Sequence, residues 1–396
     1  MPLLWAADSR RVVLAVLLLL QAGSAPPGHG PGVGPAAFDA ETFDPIVLNG
    51  IQRGAYPGAA LVIGRGDTIL FSKGYGRLTW TGSSARVDPD GTIYDLASLT
   101  KVIVTTSAIM LLVERGRVDL DAPVARYIPE FAAPITVRQL LTHTSGLRAD
   151  LSDSELKATP DSAALIRRVL AEAPRWPPGS RVVYSDLNAI LLGEIVRHVT
   201  GEGLDGFAMR ELLAPLGLST TTFRPSPRLR PRIAPTGVWR GRPVAGVVND
   251  PSAAKLGGVS GNAGLFGSAA DVARFAQFML RAGALPDGRR LLRGETVRRF
   301  TARAVDPGGR GEARALGWQV VPTGETVSSA GTLFGPHSYG HTGWTGTSLW
   351  IDPDRDLFVV LLTNRAYAPR ARRSFTLLKE VRGRVADAAA RASDAR

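Results

Sequence analysis

The sequence contains no cysteine, and that one absence excludes disulfides, thiolate nucleophiles, cysteine zinc sites and a lipid-modified cysteine. Lysine is scarce: of 47 basic residues only Lys73, Lys101, Lys157, Lys255 and Lys379 are lysine. Acid is in deficit, with 35 acidic residues and a net charge of +12. The arginines read as scattered, with short pairs such as Arg289-Arg290 and Arg298-Arg299 the densest cases. A nucleic-acid groove needs a basic stripe with aromatics interleaved, so no nucleic-acid partner is expected. Also missing are a His-Glu-x-x-His metal pair, a phosphate loop and a Gly-x-Ser-x-Gly elbow. Gly258-Val259-Ser260-Gly261-Asn262 lacks the elbow's last glycine. No metal and no cofactor are expected.

Long apolar runs are absent too. The longest, Val12 to Leu20, is far short of the ~20 residues that span a bilayer. It follows Ser9-Arg10-Arg11 and precedes Ala22-Gly23-Ser24-Ala25, which reads as an export signal over 1–25. A periplasmic or secreted destination follows, with no stable membrane span unless the signal stays uncleaved. A Gly/Pro-rich linker occupies 26–37.

What remains, 38–385, has the size and composition of a globular domain with a large core. A helix is expected from Phe38 to about Arg53. Two strands, Ala59 to Ile63 and Thr68 to Ser72, flank the hairpin loop Gly64-Arg65-Gly66-Asp67. A hairpin turn accounts for this Arg-Gly-Asp better than adhesion does. Helical periodicity marks Ser98 to Gly116, Thr136 to Leu141, Asp161 to Glu172, Asp186 to Val199, Leu204 to Leu213 and Asp271 to Leu280. Strands return at Leu316 to Val321, Thr347 to Ile351 and Asp356 to Thr363. A helix from about Arg370 closes the chain, with a frayed tail at 386–396. Strands at both ends with helices between imply an α+β fold: one antiparallel sheet built from the two chain ends and flanked by helices, with a helical lobe inserted over about 115–285.

The chemistry gathers in three places. Ser98 and Lys101, one turn apart at the head of an apolar helix, face the same way, so an unprotonated amine there can take the serine's proton. Burial and the helix dipole are expected to lower the Lys101 pKa. Ser-x-x-Lys alone is weak, since an N-cap serine followed by a surface lysine gives the same pattern. Tyr184, in Tyr184-Ser185-Asp186 at the entrance to a helix, can point its phenol into a cleft. Nearby Lys101 would favour the phenolate, a second base. His341-Thr342-Gly343 offers small residues along a strand edge. The Trp344 N–H can there join that of Ser98 to hold an oxyanion. His29, His143, His198 and His337 read as ordinary core or surface histidines.

Together, Ser98-Leu99-Thr100-Lys101, Tyr184-Ser185-Asp186 and His341-Thr342-Gly343 resemble, in order and spacing, the motifs of the serine beta-lactamase-related family. That family includes penicillin-binding proteins, class C beta-lactamases, DD-peptidases and related esterases. Val137 to Leu147 and Gly261 to Phe266 resemble its flanking phrases, and the likeness spans roughly 38–380. The resemblance implies two-step acyl transfer on Ser98 with Lys101 and Tyr184 as acid and base, and Asp186, His341, Thr342, Gly343 and Trp344 around the substrate. The expected substrate is a beta-lactam, a D-alanyl wall peptide or a small ester. A weakly catalytic penicillin- or muropeptide-binding sensor is the alternative. Two departures stand out. Asp186 replaces the family's usual asparagine and can only accept hydrogen bonds when ionised. His341 replaces its usual lysine, so anchoring of a substrate carboxylate is expected to weaken as pH rises through the imidazole pKa.

Overall fold

The structure is a computed structural model, and it describes residues 37–308, 312–323 and 328–395. The expected export signal and almost all of the linker lie outside these residues.

Asp39 caps α1 (Ala40–Gln52), its carboxylate accepting from Thr42 N at 2.9 Å. The chain then enters β1 (Gly58–Arg65) and β2 (Thr68–Gly76). The Arg-Gly-Asp segment is the turn between them: Gly66 takes a left-handed φ of 51°, and Asp67 pairs with Arg281. A π-helical stretch (Lys101–Thr106) runs straight into α2 (Ser107–Glu114). Most of the intervening elements are helical, among them α3 (Asp186–Thr200) and α4 (Ala269–Leu280). The sheet resumes with β3 (Gln319–Val320), β4 (Tyr339–Thr342), β5 (Ser348–Asp352) and β6 (Leu357–Thr363), and α5 (Ser374–Asp394) closes the chain.

The six strands form one antiparallel sheet in the order β2-β1-β6-β5-β4-β3, so strands from the two chain ends meet inside it, β1 against β6. Both of these strands are buried on both faces, and their period-2 alternation sorts side chains into two layers. Leu61, Ile63, Val359 and Leu361 pack with α1 and α5, whereas Val62, Val360 and Leu362 pack with α2, α4 and the helical elements. This explains why these strands read as continuous apolar runs rather than alternating ones.

Two expectations shift. The strand expected over Leu316 to Val321 shrinks to β3, and a strand not foreseen, β4, carries His341 and Thr342. The last helix also runs through Asp394 rather than fraying. Arg355 grips Asp394 at 2.7 Å, and Arg65 donates to the Ser393 carbonyl at 2.8 Å. These tertiary partners replace the missing local stop signal.

Candidate active site

Ser98 sits on a turn held by the side chains of Asp95, Thr345 and Thr347. Ala97, just before it, has a left-handed φ of 47°, a conformation that costs an alanine roughly 1–2 kcal/mol. The buried carboxylate of Asp95 offsets this by accepting from Ala97 N at 2.9 Å and from Asn249 N at 2.7 Å. Thr345 Oγ1 donates to the Asp95 carbonyl at 2.7 Å, and Thr347 Oγ1 donates to the Leu96 carbonyl at 2.9 Å. The turn is thereby fastened to the segment that follows His341-Thr342-Gly343. Gly343 belongs to the same junction, for a Cβ there would lie 2.2 Å from Thr347 Oγ1 and 2.7 Å from the Leu96 carbonyl. Among the described residues neither Ser98 N nor Trp344 N has an acceptor, which leaves both free for an oxyanion.

Lys101 is buried. Its Nζ donates to Ser98 Oγ at 3.0 Å and to the Asn262 carbonyl at 2.9 Å, and it pairs with Asp186 Oδ1 at 2.6 Å. Burial alone lowers its pKa, but the Asp186 carboxylate and Tyr184 outweigh that, so the net direction is upward. The expectation of a depressed lysine is corrected: it omitted the carboxylate that Asp186 brings to the ammonium.

Tyr184 stands beside both Lys101 and Ser98, its ring 5.1 Å from the Lys101 nitrogen and 5.1 Å from the Arg314 guanidinium. Burial raises its pKa more than Lys101 lowers it, and Asp186 adds to the rise. At rest it is a phenol, not the phenolate the sequence suggested. His143 supports this loop from beneath: its Nδ1 accepts from Ser185 N at 3.1 Å, and its ring lies 4.7 Å from that of Tyr184. It is a core histidine, as read.

His341 is buried on β4 with Nδ1 2.9 Å from the Thr342 carbonyl. Burial first, then Arg314 and Lys101, hold its pKa well below the ordinary imidazole value. It is neutral at physiological pH, so a carboxylate anchor that titrates near neutrality is not what this residue provides. The cation is Arg314, which sequence reading missed. Arg314 is 1% exposed; one guanidinium nitrogen binds Glu312, while Nε and Nη1 have no partner. Forty-two arginines gave no reason to single this one out.

These groups line a cleft of about 680 Å³ that includes Ser98, Tyr184, Asp186, Arg314, Thr342 and Trp344. Asp150, Asp186 and Asp250 stand together on its wall with carboxylate oxygens within 4.8 Å of one another. Such a group could hold a cation, and Lys101 already brings a positive charge to it. Burial and then the Asp186 carboxylate push Asp150 up to about 6. The cleft is therefore polarised, acid on one wall and Arg314 on another.

A serine alcohol and an amine at hydrogen-bonding range, with a phenol against the amine and two free N–H donors beside them, define a serine hydrolase class. The Beta-lactamase family profile matches residues 43–382, and the chain belongs to that family. It is 32% identical over 352 residues, 80% of each chain, to a protein of Escherichia coli (strain K12) named "Putative D-alanyl-D-alanine carboxypeptidase". Two solved structures share the fold. A penicillin-binding protein homologue from Caulobacter crescentus superposes with a TM-score of 0.71 at 22% identity, covering 90% of this chain and 99% of that one. EstCE1, described as a hydrolase with promiscuous acyltransferase activity, gives 0.71 at 22%, covering 88% and 98%.

Proposed function

We propose that this protein is an exported acyl-serine hydrolase acting on peptides or lactams that carry a carboxylate beside the scissile carbonyl, with D-alanyl wall peptides the leading class. The observation that carries this reading is Arg314, a buried cation with two unpartnered nitrogens in the same cleft as Ser98. A guanidinium gives a carboxylate charge-assisted hydrogen bonds and does not titrate. The name of the Escherichia coli relative supports the same substrate class. An export signal over 1–25, as the sequence suggests, would favour a wall-facing site of action.

In this mechanism Ser98 Oγ adds to the carbonyl carbon as its proton passes into the Lys101–Tyr184 pair. The oxyanion forms against the N–H groups of Ser98 and Trp344. Collapse returns that proton to the leaving nitrogen and leaves an ester on Ser98. Water then attacks the ester, again giving up its proton to the pair, and frees the serine. The reactive form is the one in which the pair has lost one proton, and Asp186 makes that form scarce at neutral pH.

A fluorescent penicillin and intact-mass measurement test the acyl ester: one adduct on the wild type, none on Ser98→Ala. An adduct on another side chain would refute it. Arg314→Gln tests the substrate class. KM for a D-Ala-D-Ala peptide should rise about tenfold or more while that for a neutral ester stays within about twofold. Equal losses on both would remove the carboxylate reading. Small esters are the second reading, favoured by Asp186: bound to Lys101, it has no N–H to offer a substrate amide.

A further inference from the structure

Residues 221–249 contain Arg224, Arg228, Arg230, Arg232, Arg240 and Arg242 and not one aspartate or glutamate. They fall close together in the sequence, and the fold packs the two elements that carry most of them against one small core. A 3₁₀ helix (Pro227–Arg232) and a hairpin (Gly237–Trp239 with Arg242–Val244) share a satellite core of Ile93, Ile233 and Phe266, against which Leu229, Ala245 and Val248 pack. Arg224 is neutralised by Asp205, and Arg232 donates to the Gly91 carbonyl. Among the described residues Arg228, Arg230, Arg240 and Arg242 have no acidic partner.

The hairpin tip is also apolar. Trp239 is 69% exposed and Val238 50%, and the Arg240 guanidinium lies 5.8 Å from the Trp239 ring. Arg240 (φ 47°) and Gly241 (φ 75°) are both left-handed, as a two-residue type I′ turn requires. Asparagine, aspartate or glycine favours the first of those positions, so an arginine there runs against local preference.

We propose that this hairpin and helix form a docking surface for an anionic lipid bilayer. Guanidinium groups without internal partners suit lipid phosphates, and each basic residue near such a surface strengthens binding. An indole flanked by arginines has the chemistry of the headgroup region. A soluble polyanion would neutralise the arginines but leave Val238 and Trp239 in water, which is why a bilayer is the better fit. The surface adjoins the cleft: Asn249, which lines it, donates from Nδ2 to the Thr236 carbonyl at the hairpin's foot at 3.2 Å. Docking would hold the cleft near the envelope surface.

Vesicle co-sedimentation of the full chain tests this, with phosphatidylcholine alone against phosphatidylcholine carrying about 30% phosphatidylglycerol. The apolar N-terminal segment is common to all variants, so differences between them report the hairpin. The expected result is preferential binding to the anionic vesicles, weakened by salt. Arg240→Glu/Arg242→Glu should lose about 25-fold or more in partitioning, and Trp239→Ser a smaller factor. Ester hydrolysis should stay unchanged in both. Equal binding to neutral vesicles, or no loss in the double variant, would overturn the proposal. Should the double variant misfold, Trp239→Ser decides alone: unchanged partitioning together with full competition by soluble polyphosphate would assign the patch to a polymer instead.

Discussion

Replacing Asp186 by asparagine should move the acidic limb of the pH–rate profile downward. Asp186 Oδ1 lies 2.6 Å from Lys101 Nζ. At an effective dielectric near 20 the Coulomb energy at that separation is roughly 6 kcal/mol. Asparagine keeps an acceptor in place, and the surroundings relax, so about half of this is a fair expectation, near 3 kcal/mol or about two pH units. The direction does not depend on which group is the base, because the carboxylate raises both Lys101 and Tyr184. The sign follows: with the negative charge gone, the pair releases its proton at lower pH, and the reactive form becomes more abundant at neutrality. The assay is kcat/KM for a neutral p-nitrophenyl ester from about pH 6 to about pH 10, with Ser98→Ala supplying the background. The wild type should still be gaining rate at the alkaline end, and Asp186→Asn should level off earlier. An unmoved limb, or one displaced upward, would refute the claim that this ion pair sets the base.

Other outcomes follow from the same geometry. Because His341 is held neutral, KM for a carboxylate-bearing substrate should stay flat between about pH 6 and about pH 8. A rise with a midpoint near the free imidazole value that disappears in His341→Gln would contradict this. Asp150 is pushed up to about 6, so its charged form is disfavoured in the fold, and stability is lost as pH rises through the interval between the unfolded and folded values. Thermal melts of Asp150→Asn should therefore show stabilisation at about pH 8 and none at about pH 4; the reverse order would count against the burial argument. Gly261→Ala should destabilise the protein by at least about 2 kcal/mol in urea titrations, since the added Cβ would lie 1.9 Å from the Ala189 carbonyl on α3. Activity should fall with it, because Asn262, the next residue, holds Lys101 in place. A variant of wild-type stability would show that α3 can step aside.

The sheet was legible because its inner strands bury both faces and its hairpins carry glycine and aspartate at their turns. The three short motifs were legible because residue type and spacing alone say which side chains could exchange a proton. Protonation states were not, since they depend on groups remote in sequence. Lys101 takes its carboxylate from residue 186, and His341 is flanked by Arg314 and Lys101. Asp95 was passed over although it stands three residues before Ser98. Its role is to hold the Ala97 turn, and a left-handed alanine leaves no mark in the sequence. The basic surface around Trp239 was passed over although its arginines are close in sequence, because nothing local shows that the helix and the hairpin share one satellite core.

The same remoteness explains why three modest motifs become one site. The Ser98 turn is unfavourable by itself, and the Thr345 and Thr347 hydroxyls that stabilise it come from near the other end of the domain, 250 and 251 residues away from Asp95 and Leu96. The nucleophile's geometry therefore exists only once β1 and β6 have paired and the segment between β4 and β5 has docked. Local folding of the Ser98 helix cannot supply it. Asp186 fits this logic: remote from Lys101 in sequence, it reaches the ammonium only in the folded domain, and in the assembled site it keeps that amine charged.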